Sequence, residues 1–80
     1  MTLDGYHLEA ESWIKKAIDE DKANGLHFQL GKDYALYAEF FKRTGDRTKA
    51  REKLGMAMAI MKECGADGWV EKYEKELAGL

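Results

Sequence analysis

The stretch of residues 31–64, GKDYALYAEFFKRTGDRTKAREKLGMAMAIMKEC, constrains this chain more than any other. It contains no proline, and neither does the rest of the chain, so the strongest helix breaker is missing. Tyr34, Tyr37, Ala38 and Phe41 recur at intervals of three, one and three before Gly45-Asp46. Ala50, Leu54, Ala57, Met58 and Met61 recur in the same manner after it. That period puts each set on one face of a helix. Glycine takes the left-handed conformation that closes a helix, and an aspartate side chain accepts amide protons of the next first turn. The stretch therefore predicts two helices folded back on each other, over residues 27–43 and 47–63.

The first of these helices has an unusually wide apolar surface, because Leu30, Leu36 and Phe40 lie partly outside its main stripe. Such a helix needs neighbours on two sides. Gly31 costs up to about 1 kcal/mol relative to alanine inside a helix, which predicts that another helix approaches closely there. Ala50 and Ala57 are small and permit a short interaxial distance. Leu36, Phe40 and Met56 are the candidates for exposed apolar contacts, while Met58 and Met61 read as core filling.

On the N-terminal side, Ala10, Trp13, Ile14, Ala17 and Ile18 predict a helix over residues 6–22, with Thr2 or Asp4 as its N-cap. Glu11 and Lys15 have the favourable i,i+4 order. Asn24-Gly25 ends this helix. On the C-terminal side, Gly65-Ala66-Asp67-Gly68 is the next turn, and Trp69, Tyr73 and Leu77 predict a last helix over residues 69–78. A shift of 40 residues superposes Gly5 on Gly45, Ala10 on Ala50, Ile14 on Leu54, Ala17 on Ala57, Ile18 on Met58 and Gly25 on Gly65. One further residue of slippage brings Phe28 onto Trp69. A period of this size marks a stacked repeat architecture.

Composition narrows the function. The net charge is -2, and 35% of residues are charged with the two signs interspersed. No basic patch offers itself to phosphates, so no nucleic-acid partner is expected. No apolar run approaches the roughly 20 residues that span a bilayer, and the N-terminus has no signal-peptide pattern. The single cysteine, Cys64, cannot form an internal disulfide; it is expected to be half-buried or at a subunit contact, in a cytoplasmic protein. His7 with Glu11 supplies two metal ligands at most, short of the three or four a site needs. Neither His7 nor His27 is placed to activate Cys64. The glycines are dispersed and form no phosphate-cradling loop. No enzyme activity, cofactor or metal is expected.

The central unit resembles a tetratricopeptide repeat. Tyr34 takes the position of the family's first aromatic, Tyr37-Ala38 its large-small pair, and Phe41 its tyrosine. Gly45-Asp46 is the turn, and Ala50, Leu54 and Ala57 belong to the second helix. Lys62 stands where proline is usual, which implies a longer second helix and suits a 40-residue spacing better than the standard of about 34. Residues 5–80 are also similar to the C-terminal helical-repeat arrays of large bacterial signalling ATPases and regulators.

The resemblance implies an all-α fold of four antiparallel helices, two stacked hairpins of a tetratricopeptide-like solenoid, as one domain over residues 1–80 and a fragment of a longer protein. It implies a non-catalytic interaction or sensor module that binds a peptide or neighbouring domain in a helix-lined groove. The groove positions are Lys32, Ala35, Glu39, Lys42 and Arg43. Variants of the family that grip a peptide carboxylate carry asparagine where this chain has Ala35 and Glu39, so that specificity is not implied. A short acidic peptide suits Lys42 and Arg43. The rival expectation is a self-contained four-helix bundle with a structural role, for instance as a homo-oligomer.

Overall fold

The three turns between helices are built alike, 20 residues apart. Gly25, Gly45 and Gly65 have φ of 69°, 89° and 71°, the left-handed region that glycine enters without steric cost. The residue after each glycine donates its backbone N–H five residues back: Leu26 to Asp21, Asp46 to Phe41 and Ala66 to Met61, each at 2.9 Å. Each glycine N–H donates to the carbonyl three residues before it, on Lys22, Lys42 and Lys62. These paired bonds satisfy the carbonyls left over at a helix end. A computed structural model describes the backbone of residues 5–80 and the side chains of residues 8–80. It contains α1 (Gly5–Ala23), α2 (His27–Thr44), α3 (Arg47–Glu63) and α4 (Asp67–Ala78), and no strand among the described residues. The expected caps Thr2 and Asp4 lie outside the described residues, as does the side chain of His7.

The expected Asp46 cap is present, its carboxylate accepting from the Lys49 N–H at 3.1 Å. Leu26 and Ala66 precede α2 and α4 without a side-chain cap. α4 begins two residues before the expected position, at Asp67. The turn repeats without slippage, so His27, Arg47 and Asp67 start their helices at equivalent positions.

The helices pack in chain order: α1 on α2, α2 on α3 and α3 on α4, with the α2–α3 contact the most extensive. α1 and α4 form no extensive contact among the described residues, and the molecule is a slab of 38 × 31 × 14 Å. α2 has the two neighbours its wide apolar surface requires. Leu30, Tyr37, Phe40 and Phe41 join Ile14 and Ile18 of α1 in one cluster. Ala38 joins Leu54, Ala57, Met61 and Tyr73 in a second, and Tyr34 packs against both. Gly31 faces Met61 and Ile60 of α3; a Cβ there would lie 2.9 Å from the Met61 methyl. Ala50 and Ala57 are almost fully enclosed, as short interaxial spacing requires.

Three side chains depart from expectation. Trp13 is 71% exposed. α1 has one packed neighbour, so its buried stripe narrows to Ala10, Ile14 and Ile18 and leaves the flank outside. Phe40 is buried, because α1 covers that side of α2. Cys64 is exposed at the C-cap of α3, where the chain turns away, which overturns the half-buried alternative expected for it. Leu36 and Met56 are exposed and Met61 is enclosed, as their spacing predicts.

Candidate functional site

Lys32, Ala35, Glu39, Lys42 and Arg43 follow one another on α2 at spacings of three, four, three and one, which places them on one strip of its surface. Ala35 is half-buried and the four charged residues are exposed. The structure brings Ala35, Glu39 and Lys42 together with Ala38, Leu54, Glu76 and Leu80 around a cleft of about 20 Å³. That is room for one water and no more. Arg43 is turned along the helix, its Nε 3.4 Å from the Glu39 carboxylate.

Lys32 is held at the other end of the strip. Its ammonium lies 5.9 Å from the Phe28 ring and 5.7 Å from the Trp69 ring, which meet edge to face at 5.9 Å. Cation–π contacts of this kind are worth about 0.5–1 kcal/mol where exposed. Phe28 and Trp69 thus touch each other and join α2 to α4; the one-residue slippage expected between them is absent, since α2 and α4 start 40 residues apart and Phe28 corresponds to Gly68. Glu76 of α4 enters the cleft and Glu39 occupies Arg43, so the strip is of mixed charge.

A larger groove was not foreseen. Glu9, Ala10, Trp13, Ile14 and Leu36 line an open groove of about 410 Å³ between α1 and α2. Trp13 and Leu36 are its exposed apolar walls. Only the exposure of Leu36 was signalled by the sequence; the spacing of Trp13 is the same as that of a core residue.

The remaining polar contacts tie helices together. The Tyr37 hydroxyl donates to the Glu11 carboxylate at 2.8 Å, and Lys15 lies 3.9 Å from the same oxygen. Burial, then the hydrogen bond and charge of Glu11, push the Tyr37 hydroxyl well above its ordinary pKa. Burial and Glu76 do the same to Tyr73. Arg51 Nη2 donates to the Leu80 carbonyl at 2.8 Å, and the Leu80 side chain packs on both clusters. Among the described residues no group of three His, Cys, Asp or Glu side chains is arranged to hold a metal, and no helix is long and apolar enough to cross a membrane.

One carboxyl pair is unusual. The first-bond acceptor of each turn is Asp21, Phe41 or Met61; the last two fill the core, whereas Asp21 brings a carboxylate to Asp33 of α2. Asp33 Oδ2 is enclosed without a hydrogen-bond donor. Burial, then a hydrogen bond to Asp21 and its charge, raise Asp33 from 3.8 to about 7, with Lys32 acting in the opposite direction. A proton on Asp33 supplies the missing donor. The raised folded-state pKa contributes stability that is complete below about pH 4 and lost as pH rises through about 7. Taken alone the shift corresponds to about 4 kcal/mol. Asp33 is partly exposed, and solvent screening reduces this to about 1–2 kcal/mol. Asp33→Asn retains a donor at every pH. Thermal melts at pH 5 and pH 8 are expected to differ less for this variant than for the native chain, and equal differences would exclude the raised Asp33 carboxyl as the cause.

No protein-family model, no curated protein and no solved structure matches this chain, so the functional reading rests on its own geometry.

Proposed function

We propose that this chain is a non-catalytic helical-repeat module of the tetratricopeptide type, two stacked hairpins that bind a peptide or neighbouring domain along α2 in a cytoplasmic setting. The observation that carries this reading is the strip Lys32, Ala35, Glu39, Lys42 and Arg43, held on a helix that is braced by neighbours on both sides. A helix fixed in this way presents its side chains from a backbone that needs no ordering on binding. The three alike turns and the chain-order packing support the repeat reading. The open row also favours it over a closed four-helix bundle, since the extensive contacts join only helices consecutive in the chain. The mixed charge of the strip suits a ligand with both signs better than a purely acidic peptide.

Selection of a random peptide display library on the immobilised protein tests this. Enriched peptides are expected to lose about tenfold in affinity against a Lys42→Glu/Arg43→Glu variant whose circular dichroism is unchanged. Peptides that bind both proteins equally, or no enrichment at all, would exclude the α2 strip as the binding surface.

A further inference from the structure

We infer that the groove between α1 and α2 is a self-association surface, in which Trp13 of one copy seats against the groove of a second copy related by a twofold axis. This does not rest on the peptide-binding reading, because it uses a different surface. Trp13 is 71% exposed and Leu36 55% exposed, and they wall the same groove of about 410 Å³. That is ample volume for an indole, and tryptophan is the side chain most enriched at the centres of interfaces. The exposed surface of α4 on the far side of the row carries Glu71, Lys72, Glu74 and Lys75 instead. Of the two end helices, α1 is therefore the one with large exposed apolar side chains, Leu8 and Trp13.

Charge selects a second copy as the occupant. Glu9 lies four residues before Trp13 and Lys16 three residues after it, both exposed and on the same flank of α1. A twofold axis beside Trp13 runs the two α1 helices antiparallel. It then sets Glu9 of each copy opposite Lys16 of the other, giving two ion pairs that frame the two indoles. A surface that is complementary to itself in this manner is what an isologous dimer requires. Neither Glu9 nor Lys16 forms an ion pair with another described residue, whereas Glu11–Lys15, Glu39–Arg43 and Glu71–Lys75 do. The contact centres on one helix, α1, so the association is expected to be weak and concentration-dependent.

Sedimentation equilibrium of the full chain from micromolar to millimolar concentration, at low salt, is the test. The native chain is expected to dimerise over that range, and Trp13→Ala to weaken dimerisation at least about tenfold. Glu9→Lys and Lys16→Glu, each creating two repulsive pairs per dimer, are expected to weaken it about tenfold. The combined Glu9→Lys/Lys16→Glu chain restores the native constant, because the pairs re-form with signs exchanged. All these positions are exposed, and circular dichroism checks that each variant remains folded. A chain that stays monomeric throughout, a dimer indifferent to Trp13→Ala, or a double variant no better than the singles would each overturn the inference.

Discussion

Replacing Phe41 with alanine is expected to lower the unfolding free energy by about 3–5 kcal/mol. Phe41 is at the centre of the α1–α2 cluster, stacked on Tyr37 at 4.5 Å and edge-on to Phe40 at 5.3 Å. The Lys49 ammonium lies 5.4 Å from its ring, so α3 closes over it as well. Its carbonyl anchors the turn, accepting from the Asp46 N–H at 2.9 Å and from the Thr44 hydroxyl at 3.1 Å. The backbone there is already committed by the turn, and the helices cannot easily collapse into the space left by the ring. A domain of this length is stable by roughly 4–12 kcal/mol, so the variant is expected to lose a large share of its stability. Leu36→Ala on the same helix removes an exposed side chain and is expected to change stability by no more than about 0.5 kcal/mol. Urea titration followed by circular dichroism separates the two; similar midpoints would contradict the placement of Phe41 in the core.

Gly31→Leu is expected to cost about 2–3 kcal/mol, because it forces α2 away from α3 across their most extensive contact. Even the Cβ would meet the Met61 methyl at 2.9 Å and Ile60 Cγ2 at 3.1 Å. Met61 is flexible, but it is fully enclosed and has no open space to enter. Alanine at this position gains about 1 kcal/mol of helix propensity, which roughly offsets the smaller clash. A double-mutant cycle identifies the cause. Met61→Ala alone should cost about 2–5 kcal/mol, yet in that background Gly31→Leu should cost at least about 1 kcal/mol less than in the native chain. Strict additivity would show that the glycine is not there to admit Met61.

Some of this molecule was legible before any coordinates. The helix boundaries and turns depend on residues close in sequence. Gly25, Gly45 and Gly65 take a conformation other residues resist, the chain has no proline, and Asp46 caps through its own side chain. The two-sided burial of α2 was readable for the same reason, since Leu30, Tyr37 and Ala38 define directions around one helix. The choice of Lys32, Ala35, Glu39, Lys42 and Arg43 as a strip comes from the tetratricopeptide resemblance; helical period accounts only for their sharing one side of α2.

Other features depend on which helices become neighbours, and periodicity is silent on that. Trp13 and Ile14 have similar spacing to the rest of α1, but a helix with one packed neighbour buries only one of them. Phe40 is buried because α1 lies over it rather than solvent. Glu76 and Leu80 reach the α2 cleft from the far end of the chain. Asp33 is raised to about 7 by burial and by Asp21 only because an antiparallel turn sets two helix faces together. Local sequence determined the helices, the turns and the face each helix shows, because those are fixed within a few residues. Tertiary structure alone decided what covers each face, because burial and pKa depend on the atoms of a neighbouring helix.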